Sequence, residues 1–171
     1  MNFHCSWDTN VTLITLLFTA ILLGVAVMLY FKLRRYRQEK RMLPVCMLLL
    51  GILFCIGILI FSALECPFRV SVEKEGIAIH RMIGNIIIPV QTIEEIRLCN
   101  DSDTGSSVRT FGSGGAFGYL GKFRNTQLGD YQMYVTDSSK KIIVKTKDKT
   151  FVFSCDKPEE LIRAMEALHL S

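Results

Sequence analysis

The sequence predicts an α+β chain, mainly β: a two-helix transmembrane hairpin, then a domain of about seven antiparallel strands closed by a C-terminal helix. Three observations predict it. Val11 to Phe31 and Met42 to Leu64 are runs of 21 and 23 residues with no charged side chain. From Phe68 to Ser154 the chain alternates apolar and polar side chains in short runs divided by turn residues. From Asp156 onward the apolar spacing becomes that of an amphipathic helix.

At about 1.5 Å per residue, each apolar run makes a helix of roughly 31–35 Å, enough to cross a hydrocarbon layer of about 30 Å. Core helices of soluble proteins are rarely apolar all round over such a length. A cleaved signal peptide would need a basic start and a short apolar stretch. Residues 1–10 form a short tail with neither Lys nor Arg, so the first run is expected to be an uncleaved anchor.

Between the runs, residues 32–41 form a loop, KLRRYRQEKR, in which six basic side chains face one acid, Glu39. Basic short loops stay in the cytoplasm. The loop is therefore expected inside, with both termini and the domain at 67–171 extracytoplasmic, in a two-span protein of the cell membrane. Binding of the loop to anionic lipid heads would put it on the same side.

The chain is 50% hydrophobic with a mean hydropathy of +0.32, oily for a soluble domain and modest for membrane spans alone. Residues 65–171 carry fourteen basic and fourteen acidic side chains, so the pI near 8.8 belongs to the connecting loop. A nucleic-acid partner would need a basic domain face, which this balance does not supply. Cys46 and Cys55 fall within the second run, Cys66 at its end, and Cys99 and Cys155 could pair in an oxidising space. No cysteine spacing resembles a zinc site.

Pro67 ends the second helix. Phe68, Val70 and Val72 alternate with Arg69, Ser71 and Glu73; Glu75-Gly76 turns the chain; Ile77 and Ile79 alternate with Ala78 and His80. Ile86 to Ile88 and Ile93 to Leu98 continue the pattern. A polar loop, Asn100 to Ser107, leads into a glycine-rich stretch with aromatics between the glycines. Tyr131 to Thr136, Lys141 to Thr146 and Thr150 to Ser154 complete the strands. Asp156, Pro158 and Glu159 open the last helix as cap, early proline and capping-box acid, with Leu161, Met165 and Leu168 on one face.

Chemistry-bearing patterns are sparse. The segment FGSGGAFGYLG satisfies neither phosphate-cradling glycine pattern and opens no helix. It is expected to be a bend or bulge packed by aromatics, or a partner-binding loop made of Phe111, Gly112, Gly114, Gly115, Phe117 and Tyr119. His80 is expected on the outer side of its strand, and no spacing joins it to a nucleophile such as Ser113. Asp101 and Asp103 do not complete a calcium loop. Lys140, Lys141, Lys145, Lys147 and Lys149 could face lipid or an acidic partner, or form a solvated edge. No catalytic residue, cofactor or metal is expected.

R109-T-F-G-S-G-G-A-F-G-Y-L-G-K-F, N125-x-x-L-G-x-Y131, Y134-V-T-D137 and S154-C-D-K-P-E-E-L161 resemble the bacterial pleckstrin-homology-like domains that follow membrane helices in small proteins. The resemblance implies two near-orthogonal sheets of seven strands capped by the C-terminal helix, and no catalytic residues. Eukaryotic relatives often bind phosphoinositides through basic residues of the first hairpin turn. Here that turn is Glu73-Lys74-Glu75-Gly76, one lysine between two acids.

The expected function is thus a non-catalytic, membrane-anchored binding module whose partners are the lipid bilayer and a protein or peptide. Two alternatives stand beside it. The chain could be a subunit of a larger membrane complex assembled through its helices, where Gly51 and Gly57 would admit a neighbour. It could be an enzyme using Cys99, Cys155 or His80.

Overall fold

The computed structural model of the chain describes residues 1–38 and 42–169. Strand β1 (Asn2–His4) precedes two long helices, α1 (Thr9–Gln38) and α2 (Met42–Glu65). Then follow β2 (Pro67–Glu73), β3 (Gly76–Arg81), β4 (Ile86–Pro89), β5 (Ile93–Leu98), a short α3 (Asp101–Thr104), β6 (Val108–Gly115), β7 (Gly118–Asn125), β8 (Gly129–Val135), β9 (Lys141–Thr146), β10 (Thr150–Ser154) and α4 (Pro158–His169). One sheet has the order β1-β2-β3-β4, the other β5-β9-β10-β8-β7-β6. Two apolar helices, a mostly β domain in two sheets and a closing helix are the architecture the sequence predicts.

Both helices are long and apolar enough to cross a membrane. A helix in the core of a soluble protein would be mostly covered by its neighbours. Here only 11% of the apolar stretch of α1 is buried, and none of that of α2. The two pack against each other, with Leu29 reaching 3.3 Å from where a side chain on Gly51 would begin. Gly51 therefore serves the contact within the pair, while the space around Gly57 stays open.

Several details depart from the sequence expectation. The tail at 1–10 is not loose: Asn2, Phe3 and His4 pair antiparallel with Ser71, Val70 and Arg69, and the terminal ammonium donates to Val72 O at 2.7 Å. The basic stretch at 32–41 is helical through Gln38, because Lys, Leu, Arg and Gln favour helix and nothing there breaks it. Glu39, Lys40 and Arg41 lie outside the described residues. The domain has nine strands rather than about seven, since the glycine-rich stretch is two paired strands, β6 and β7. One neighbouring pair is parallel: the chain passes from β8 to β9 one position further on, then returns as β10 between them.

Gly112 and Gly121 stand opposite each other in the β6–β7 pair, with φ of 111° and 117°. A Cβ on Gly112 would sit 2.0 Å from Leu120 O, and one on Gly121 2.3 Å from Phe111 O. Only glycine permits that backbone approach. The bulge between Arg109 and Phe111 adds the expected irregularity.

The core lies between the sheets. Ile77, Ile79, Val70 and Val72 of the first sheet meet Ile142, Val144, Phe151 and Phe153 of the second, and α4 seats Leu161 and Met165 against them. The period of two sends Ile143 and Val152 to the opposite face, where they pack with Phe123, Tyr131, Met133 and Val135. The central strands of the second sheet are thus buried on both faces, which suits their nearly unbroken apolar runs. Asp156, expected to cap α4, instead accepts bonds from Ser6 N (3.2 Å) and Ser6 Oγ.

Candidate functional site

The helices and the β domain meet at a joint built by residues from four parts of the chain. On the entry side, Asp8 N-caps α1. Its Oδ1 accepts from Val11 N at 2.6 Å, while Oδ2 accepts from Ser138 N at 3.0 Å and Ser138 Oγ at 2.7 Å. Burial pushes this carboxyl up, but the bonds from Val11, Ser138 and Asn10 outweigh it and hold the group below its usual range. The backbone follows the same course: Asp8 N donates to Thr136 O, Cys5 N to Phe68 O and Asp156 N to His4 O. The residues ahead of α1 are thus stitched to the domain that follows α2.

Deeper on α1 the tip of the β6–β7 hairpin docks. Phe117 has a φ of 60°, the one non-glycine residue with positive φ among those described. Such a conformation costs about 1–3 kcal/mol and persists only where the surroundings hold it. Here Phe117 N donates to Thr15 Oγ1 at 2.7 Å, Ser113 Oγ donates to Ala116 O at 2.5 Å, and the Phe117 ring meets Trp7 edge-on at 6.0 Å. Ile14 Cδ1 lies 2.9 Å from where a Cβ on Gly115 would stand, and Gly115 has a φ of 130°, so glycine suits this close approach of hairpin and helix. On the exit side, Arg81 Nη1 binds Glu65 Oε2 at 2.5 Å, and its guanidinium lies 5.4 Å from the Tyr134 ring centre. The end of α2 is thereby tied to β3 and β8.

Between these ties a cavity of about 530 Å³ opens. Ile14 and Phe18 of α1 with Ile58 and Phe61 of α2 form its apolar floor; Ser62 and Glu65 near the end of α2, with Arg109 and Ser113 of β6, form its polar rim; Phe111 lines it as well.

The six residues expected to form a binding loop divide among three settings. Phe111, 70% exposed, with Gly112 and Gly114, lines the cavity. Gly115 and Phe117 are committed to α1. Tyr119 packs on the far face of the second sheet. Residues that matter here but carried no expectation are Asp8, Thr15 and Arg109. The single acid three residues ahead of Val11 was a visible signal for the first; Thr15 is one of three threonines in its apolar run and does not stand out.

His80 is half-buried against Phe68 rather than free on the surface. Buried Ser71 sits between His80 Nε2 (2.7 Å) and Glu73 Oε1 (2.9 Å). A nucleophilic triad needs the imidazole between hydroxyl and carboxylate, and here the hydroxyl occupies the middle. Cys99 and Cys155 belong to the packing on opposite faces of the second sheet, which explains why they do not pair. Burial raises the Cys5 thiol and pushes Cys66 and Cys155 up to about 11, so these stay protonated at neutral pH and react poorly. Among the described residues no group of three or more His, Cys, Asp and Glu could hold a metal ion. Of the lysines, Lys141 is buried and reaches Asp101 and Thr104, while Lys140 pairs with Asp137.

No curated protein and no solved structure matches the chain. Residues 68–169, more than half of it, match the family described as bacterial PH domain. The matched span starts in β2 and ends in α4, covering both sheets except β1, and the chain belongs to the bacterial PH domain family.

Proposed function

We propose that this chain is a non-catalytic interaction module fixed on a membrane: α1 and α2 cross the bilayer, and the PH-like domain lies on the extracytoplasmic surface, where it meets a protein or peptide partner. The observation that carries this reading is the pairing of β1 with β2 across the whole helical hairpin. It brings the start of α1 and the end of α2 to one end of the helix pair and makes anchor and domain a single body. A domain held so firmly cannot swing freely, which suits presenting one face at a set height above lipid.

The orientation rests on the basic stretch between the two apolar runs, of which Lys32, Arg34 and Arg35 lie at the opposite end of α1 from the domain. The non-catalytic part rests on the raised thiols and on the order of Ser71, His80 and Glu73. Exposed Phe111, with Gly112 and Gly114, is the contact surface we assign to a partner. A photo-crosslinking residue at Phe111 in cells should trap one discrete adduct that the same residue at exposed Lys147 does not. A reporter after Ser171 should be active only outside the cytoplasm. Reporter activity confined to the cytoplasm would overturn the orientation, and identical adducts from both positions would overturn the contact surface.

A further inference from the structure

We infer that the joint cavity holds one phospholipid from the leaflet on the domain's side, its acyl chain on Ile14, Phe18, Ile58 and Phe61 and its phosphate on Arg109. This deepens the reading above and rests on its membrane part. First, the floor consists of the faces of the two apolar helices. Ile58, Phe61, Ser62 and Glu65 follow one another at helical spacing along the last two turns of α2. From Ile58 to Glu65 is about 10 Å along the axis. If α2 crosses a bilayer, that stretch runs from the upper acyl region to the headgroups, so the solvent of the floor is lipid.

Second, polarity changes along this depth as it does along a phospholipid. The deep positions are Ile and Phe; Ser62, Glu65, Arg109 and Ser113 are at the rim. Third, the rim carries one unanswered charge. Glu65, the carboxylate that lines the cavity, is already bound to Arg81. Among the described residues nothing forms a hydrogen bond or ion pair with the Arg109 side chain. Its Nη1 lies 2.7 Å from the place of a Gly114 Cβ, so the guanidinium occupies space that a side chain at 114 would contest. A planar cation over Gly114, at a cavity that exposed Phe111 also lines, matches a phosphodiester whose chains descend past it. A peptide would meet the same cation but would have to leave backbone groups unpaired against the apolar floor.

The test reconstitutes the full chain in nanodiscs of equal phosphatidylcholine and phosphatidylglycerol, releases it gently and weighs the lipid retained per chain by native mass spectrometry. One retained phospholipid, enriched in phosphatidylglycerol, is expected; Arg109→Gln should cut that enrichment about fivefold, while Lys122→Gln leaves it alone. Arg109 is exposed, so its variant folds. A second variant, Gly114→Val, should displace the guanidinium and lower retention likewise. Retention that neither variant changes marks lipid of the surrounding annulus and overturns the proposal. Alkaline carbonate washes separate the two failures: an integral chain without retained lipid sinks the lipid site alone, whereas a chain stripped from its vesicles sinks the membrane reading as well.

Discussion

The two sheets of the domain differ in where their strands come from. The second sheet is drawn from one continuous stretch, residues 93–154. The first takes β2, β3 and β4 from residues 67–89 and then adds β1 from the far side of two helices. One sheet can assemble from its own neighbourhood. The other is complete only when α1 and α2 lie side by side. The first sheet therefore reports whether the anchor is correctly formed, and the second whether the domain is.

The sharpest break of that distinction is a change that should fell both sheets together. Phe153 is fully buried on β10 and belongs to the core shared by the sheets. Phe153→Ala should cost about 3–5 kcal/mol. Chemical denaturation of the chain in detergent should show one transition, shifted to lower denaturant by all probes alike. A variant that loses the first sheet while keeping the second would show that the cores are separable.

Phe3→Ala should separate the sheets. Phe3 is 5% exposed, and its strand is held by ladder bonds at one edge only. A loss of about 3 kcal/mol is expected, concentrated in the first sheet. Hydrogen exchange should quicken in β1 and β2 while the amides of β9 and β10 keep their protection. Uniform loss of protection would mean that β1 supports the whole domain.

The same division marks what could be seen in the sequence. The two long apolar runs, β2, β3, β8 to β10 and the stripe of α4 were legible because each carries its own period within a few residues. Strand β1 was not, because Asn2–His4 is too short for a pattern and its partner lies more than sixty residues away. The β6–β7 hairpin was hidden for a different reason: glycines at 112, 114, 115, 118 and 121 remove the side chains that would display alternation. At the joint, the composition of the glycine segment points to Phe111, Gly112 and Gly114 as candidates but not to a cavity. The helix residues that complete the cavity, Ile14, Phe18, Ile58 and Phe61, look in the sequence like any others facing lipid.

A smaller effect should come from the hairpin tip. Thr15→Val keeps the shape of the side chain and removes the acceptor for Phe117 N. An unpaired buried amide costs about 1–3 kcal/mol. Exchange of the Phe117 amide should accelerate, and Thr15→Ser should restore it. No change in that amide would mean that packing by Ile14 and Trp7 alone holds the left-handed turn.

The smallest expected effect depends on pH and is readable through Trp7, the single tryptophan, which abuts Phe117 in the joint. Asp8 has a carboxyl depressed in the folded state, so its stabilisation is fully present above the unfolded value of about 3.9 and is lost as pH falls through the lower folded value. Loss of an N-cap costs about 0.5–2 kcal/mol. Asp8→Ala should therefore shift the Trp7 emission transition to lower denaturant at pH 7 and bring it close to wild type in strong acid. The convergence should be incomplete. Asp156 lies in the same joint, pushed up by burial yet held low overall by Ser6, Lys140 and His4, and it keeps its own acid response in the variant. If Asp8→Ala and wild type instead ran parallel from neutral pH to strong acid, Asp8 would be holding the helix by shape alone, and the tie between α1 and the Ser138 turn would owe nothing to its charge.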